Sequence, residues 1–154
     1  MKIVLQRSKN ASVSIKNQIV GKINHGLVLL VSFTDNDDSK IIDYMVDKVL
    51  NLRIFDDENG VMNKSIIDTN GSILSISQFT LYADTSKGRR PSYIKALKQD
   101  KARKLYDEFN NKLKNKNIKV ETGKFKEDMQ VSLINDGPVT IILERENNYE
   151  KRSN

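Results

Sequence analysis

Ser72-Ile73-Leu74-Ser75-Ile76-Ser77-Gln78-Phe79-Thr80-Leu81 is an apolar run of strand length that closes on a hydroxyl, an amide and a second hydroxyl. Asn70-Gly71 precedes it as a turn signal, so Ser72 to Phe79 reads as a strand buried within a sheet. Ser77 and Thr80 then have two readings: they satisfy backbone groups at a strand end, or they line a site that the strand delivers.

Upstream of this strand, residues 2–6, 12–16, 18–23 and 26–33 carry strand patterns, with Asn24-His25-Gly26 as the hairpin turn between the last two. Asp37 or Asp38 can cap a helix in which Ile41, Ile42, Met45, Val46, Val49 and Leu50 recur at helical spacing, and 56–60 is a turn. Downstream, 85–91 is a basic loop containing glycine. Asp100 is positioned to cap a second helix with Ala102, Leu105, Tyr106, Phe109 and Leu113 on one face. Residues 118–122, 129–134 and 139–144 are the closing strands, and Asn135-Asp136-Gly137-Pro138 breaks the last two. The expectation is one α+β domain over residues 1–145 with two main helices, followed by a polar tail at 146–154. Neither a repeat nor a linker composition divides it.

A chain of 154 residues is the size of one domain, and 38% hydrophobic with 30% charged residues is ordinary globular composition. No apolar run approaches a membrane span, and the first residues read as a strand rather than a signal peptide, so the expected location is cytoplasmic, away from membranes. The formal charge is +6, but 85–126 holds 14 Lys and Arg against four acids, +10 in all, which leaves −4 for the rest. That asymmetry suits a polyanion footprint, or else a solvated lysine-rich helix face.

Common hydrolytic devices are missing. Zero cysteines exclude thiol catalysis and thiolate metal sites, and the one histidine, His25, would have to reach a distant serine to form a triad. Neither HExxH, nor a Walker loop, nor GxGxxG occurs, so neither a metal nor a cofactor is expected.

The two polar segments, Ser77 to Leu81 and Asn135 to Thr140, resemble together the D-aminoacyl-tRNA deacylase (D-tyrosyl-tRNA deacylase) family. The likeness extends through Leu5-Gln6-Arg7, Ala11-Ser12-Val13, Arg53-Ile54-Phe55, Met62-Asn63, Ala83-Asp84-Thr85, Arg90-Pro91-Ser92, Thr122-Gly123 and Asp128 to Leu133. The resemblance implies a compact β-barrel-like α+β domain, a homodimer with active sites at the interface, and hydrolysis of the ester joining a D-amino acid to tRNA. It implies that Ser77, Gln78, Phe79 and Thr80 form the catalytic motif with Leu81 beside them. Met129 would shape the pocket, and Gly137 and Pro138 would match a cis dipeptide inserted into the partner's pocket, oriented by Arg7. An L side chain would be rejected by shape, whereas glycine would pass.

An aminoacyl ester is already activated, so positioning and oxyanion stabilisation can suffice; Thr80 or the substrate's 2′-hydroxyl could assist the water. Lys87, Arg89 and Arg90 are the candidate tRNA contacts. The rival readings are a related deacylase with a different dipeptide orientation, a non-catalytic nucleic-acid-binding module using 85–126, and a metabolite-binding oligomer on a similar barrel.

Overall fold

Lys16 and Asn17, with φ of 49° and 63°, reverse the chain between β1 (Lys2–Ile15) and β2 (Gln18–Ser32) in the structure, a computed structural model describing residues 1–147. Two consecutive residues at positive φ are what a tight hairpin joining right-twisted strands requires. The hairpin expected at Asn24-His25-Gly26 is therefore corrected: those residues lie inside β2. Gly26 has φ +143°, and a Cβ there would lie 1.8 Å from the Ser72 carbonyl oxygen. Its glycine serves close backbone approach rather than a turn. The separate strands expected at 2–6 and 12–16 are likewise one strand, which shifts register on both its neighbours.

The approach at Gly26 begins the parallel pairing of β2 with β5 (Ser72–Ser77), which runs from Gly26–Ser72 to Val31–Ser77. A parallel pair needs a crossover. The crossover carries α1 (Ser39–Asn51) and the short antiparallel pair β3 (Phe55–Asp56) and β4 (Met62–Lys64), around the expected turn at 56–60. Asp38, rather than Asp37, caps α1, its carboxylate accepting from the Lys40 and Ile41 amides at 3.1 and 3.0 Å. Asp37 instead pairs with the Met1 ammonium at 2.7 Å, both side chains fully buried.

After β5 come α2 (Gln99–Lys114), β6 (Val120–Thr122) and β7 (Gln130–Glu144). Lys98 occupies the N-cap of α2 without a side-chain bond, and Asp100 stands in the first turn, where its charge still favours the helix dipole. The five-stranded sheet has the order β6-β5-β2-β1-β7. Its ends, β6 and β7, do not pair, so the sheet is mixed and open rather than a closed barrel. β7 is continuous through the expected break at 135–138. There the ladder with β1 slips between the Gln6–Thr140 and Ser8–Asn135 pairs, and residues 136–139 bulge out.

Both faces of the sheet's middle are covered. Ile3, Leu5, Leu29 and Ile73 pack with the apolar stripes of α1 and α2, including Ile42, Met45, Val49 and Phe109. Burial of each such side chain contributes about 1.5–3 kcal/mol. Ala11, Val13, Val28, Leu74 and Ile76 form a second cluster, joined by Met129. β5 thus buries Ile73 on one face and Leu74 and Ile76 on the other, as an apolar run interrupted only by Ser75 requires. Arg145 donates its amide to the Met1 carbonyl oxygen and Asn147 reaches Asn36; of the expected tail, 148–154 lies outside the described residues. No described helix is long and apolar enough to cross a membrane.

Candidate active site

β5 stops at Ser77 because the next residues wind into a 3-10 turn, Phe79–Tyr82, through Gln78 at φ −146° and ψ 77°. The Gln78 amide bonds to the Val31 carbonyl at 2.8 Å and so anchors the turn to β2. The turn's first internal hydrogen bond runs from the Leu81 amide to the Gln78 carbonyl at 3.2 Å. The amides of Phe79 and Thr80 come before it and are left free by the turn itself. Gln78 Nε2 donates to Thr80 Oγ1 at 2.5 Å, which fixes one side chain by the other.

A cavity of about 570 Å³ opens at this end of β5. Ser77, Gln78, Phe79 and Met129 line it together, although fifty residues separate the first three from the last. Thr80 and Leu81 follow in the turn and are not among its lining residues. Phe79 is 56% exposed and meets Tyr93 edge to face, ring centroids 5.1 Å apart. Tyr93, Leu97, Phe125 and Asp128 also line the cavity, and no sequence reading singled them out as site residues. The T-shaped pair ties the turn to a loop fourteen residues away only in the folded chain, so the sequence carried no signal for these residues.

Gly137, Pro138 and Arg7 lie apart from this cavity in the same chain. The Gly137–Pro138 peptide bond is cis, and both residues are exposed on the bulge of β7. Arg7 is 9% exposed and braces the bulge from beneath. Its Nε donates to the Asp136 carbonyl at 2.8 Å and its Nη1 to the Ile54 carbonyl at 2.8 Å, with the Asp56 carboxylate 3.4 Å away. Asn135 closes the bulge from within: its Oδ1 accepts from the Val139 amide at 2.7 Å, and its Nδ2 donates to Thr140 Oγ1 at 2.8 Å. Asn135 opens the second polar segment of the sequence and here closes its bulge, whereas Asp56 is a support that nothing in the sequence singled out.

Lys87, Arg89 and Arg90 are exposed in the loop beyond the 3-10 turn and do not line the cavity. Nearby Asp84 is held below the usual carboxylate range, first by the Ser86 hydroxyl and then by the Ser86 amide. His25 has its Nε2 3.2 Å from the Thr69 carbonyl. It adjoins Gly26, at the Ser72 end of the parallel ladder, whereas Ser77 is at the other end. At ~3.3 Å per residue that is roughly 17 Å, too far for a triad.

Residues 4–144 match the family described as D-Tyr-tRNA(Tyr) deacylase. The D-aminoacyl-tRNA deacylase of Thermosipho africanus is 55% identical over 144 residues, which cover 94% of this chain and 97% of that one. The protein of the same name from Bacillus cytotoxicus is 56% identical, covering 94% and 99%. Among solved structures, a c-Myc DNA Unwinding Element Binding Protein superposes with a TM-score of 0.89 at 38% identity, covering 95% of this chain and 99% of its own. A probable eukaryotic D-amino acid tRNA deacylase shares the fold at a TM-score of 0.79 and 17% identity.

Proposed function

This chain belongs to the D-Tyr-tRNA(Tyr) deacylase family, and from that premise we propose that its Ser77–Phe79 cavity holds the ester of an aminoacyl-tRNA while Gly137 and Pro138 sort chirality. The protein is a D-aminoacyl-tRNA deacylase: it hydrolyses the ester of D-aminoacyl-tRNA to free tRNA and D-amino acid. The observation that carries the site assignment is the meeting of Ser77, Gln78, Phe79 and Met129 around one cavity beside a turn with two uncommitted amides.

Water attacks the ester carbonyl, negative charge gathers on its oxygen, and the carbon–ribose oxygen bond breaks as that oxygen takes up a proton. The Phe79 and Thr80 amides are the donors for the developing charge, with Ser77 Oγ in reserve. One well-aimed donor is worth ~3 kcal/mol. Thr80 Oγ1 is already committed to Gln78 Nε2 and has no base beside it. The 2′-hydroxyl of the substrate therefore assists the water in this reading.

A backbone wedge beside the substrate Cα leaves room for hydrogen alone on one face, so an L side chain collides and a D side chain points away. Glycine meets no obstacle, and the reading includes hydrolysis of glycyl-tRNA mischarged on tRNA-Ala. Because the dipeptide does not line its own chain's cavity, it acts in the cavity of a second copy. Support for that homodimer comes from edge strand β7, where Ile134 and Ile142 are 55% and 70% exposed. Lys87, Arg89 and Arg90 receive the tRNA backbone, largely without regard to base sequence. The reading fits a cytoplasmic protein.

The test is hydrolysis of matched D- and L-tyrosyl-tRNA. The D ester is cleaved and the L ester spared; equal rates on both would remove the chirality assignment. A nucleic-acid-binding module without catalysis, favoured by the 38% identical neighbour's name, requires salt-sensitive DNA binding with both esters intact.

A further inference from the structure

A second cavity, of about 860 Å³, lies between α2 and residues 122–127. It shares Gln99, Phe125, Lys126 and Glu127 with the ester cavity, so the two lie side by side along that rim. Arg103, Asp107, Asn110 and Lys114, three or four residues apart on α2, form its long wall. From Gln99 to Lys114 the wall runs about 22 Å.

Two observations make this groove more than a solvated helix face. Arg103, Lys114, Lys124 and Lys126 line it, and among the described residues none of them forms a salt bridge, although Asp100, Asp107 and Glu127 share the groove. Lys112, on the same helix but outside the groove, is held by both Asp43 and Glu108. The second observation is Asn110, only 5% exposed, whose Oδ1 has no hydrogen-bond partner. Its neighbour Tyr106 spends its hydroxyl proton on the Ser75 carbonyl at 2.7 Å. A buried amide oxygen without a donor costs free energy unless a ligand or water supplies one. Uncommitted cations and a lone acceptor among the residues lining one groove match a ligand with phosphates and an N–H or O–H donor. A ribose 2′-hydroxyl or a base amino group is such a donor.

Resting on the deacylase reading, we propose that this groove binds the single-stranded nucleotides that precede the terminal adenosine of the tRNA. The strand leaves the ester cavity over Lys126 and runs along α2, with phosphates at Arg103, Lys114 and Lys124. A ribose or base donor meets Asn110 Oδ1. The loop carrying Lys87, Arg89 and Arg90 is left for duplex further from the ester.

The experiment compares D-tyrosyl-adenosine with the D-tyrosyl ester of the trinucleotide CCA. It uses the wild type and an Arg103→Ala/Lys114→Ala variant, and also measures binding of uncharged CCA and of adenosine. Both substituted residues are exposed and off the core stripe, so the variant folds. The trinucleotide should have the lower KM on wild type, and the variant should raise that KM about tenfold with kcat unchanged. Its salt slope should fall by about 0.7 for each phosphate no longer neutralised, while the adenosine ester is unaffected. A wild type that gains nothing from the two cytidines overturns the proposal. So does a variant with wild-type KM on CCA, or disappearance of the CCA advantage only on replacing Lys87, Arg89 and Arg90. If no ester is cleaved, the deacylase reading falls by itself, and CCA binding that disappears in the variant still upholds the groove.

Discussion

Arg7 Nε holds the carbonyl oxygen of Asp136 at 2.8 Å, joining residues 129 apart in sequence, and the same guanidinium grips the Ile54 carbonyl through Nη1. A planar fork can serve both acceptors at once; a lysine ammonium on a flexible stem cannot keep that geometry. Arg7→Lys should lower kcat/KM on D-tyrosyl-tRNA by at least about tenfold, because a shift near 1 Å in a positioning element is costly. Thermal denaturation should show a folded protein of reduced Tm. Unchanged kcat/KM would mean that the bulge needs no brace.

Gly137 has φ +139°, and a Cβ there would lie 2.8 Å from Val139 Cγ2 and 3.1 Å from Arg7 Nη2. Gly137→Ala must therefore displace either the bulge or the guanidinium. Discrimination between D- and L-tyrosyl-tRNA should shrink. Stability should fall by more than about 1 kcal/mol, as for alanine forced to positive φ. Paired kinetics and chemical denaturation separate the two effects.

Thr80→Val removes the partner of Gln78 Nε2 but leaves the Thr80 amide in place. Turnover of D-tyrosyl-tRNA should persist within about tenfold of wild type, the range of one missing positioning interaction. Replacing the 2′-hydroxyl of the terminal adenosine with hydrogen should be far more damaging. A Thr80→Val protein that binds a non-hydrolysable analogue yet shows no turnover would transfer the proton relay to Thr80.

A filter that works by collision cannot act on a substrate without a side chain. Glycyl-tRNA should be hydrolysed measurably, and glycyl and D-tyrosyl esters should compete for one site in mixed-substrate assays. No glycyl turnover at high enzyme concentration would point to positive recognition of the D side chain.

Acid should weaken the fold through several surface carboxylates. Asp38, Asp57 and Asp68 are held below their ordinary value of 3.8, chiefly by the backbone amides of Ile41, Val61 and Ser65 respectively. Each is depressed in the folded state, so its stabilisation is present above 3.8 and is lost as pH falls through the lower folded value. Melting curves from pH 7 to pH 2 should drop in that window. Asp38→Asn, which still caps α1, should give a shallower drop.

The helices were legible because six apolar residues of α1 recur at helical spacing and all six are buried. Strand β5 was legible too, since Ile73 is apolar on one face and Leu74 and Ile76 on the other. Gly26 was misread because a glycine between two apolar runs signals a turn and a close backbone approach equally well; only Ser72, 46 residues later, decides. Asn135 to Pro138 reads as a break, yet β1 is long enough to pair on both sides of it and make it a bulge. The cavity at the end of β5 was half legible. Ser77 to Phe79 stood out as polar groups leaving a core, whereas Leu97, Tyr93 and Phe125 look like ordinary apolar residues until packing brings them to the same opening.

The order β2-β1-β7 has a consequence for synthesis. β1 is translated first, but its second partner is translated last. From Ile15 to Gln130 the ribosome must add 115 residues, roughly 6 to 23 s at ordinary elongation rates. During that interval one side of the first strand is an open edge, able to pair with any extended chain nearby. The Arg7 brace on Asp136 closes with the same last strand, so a nascent chain cannot set the 136–139 bulge before its final strand has docked.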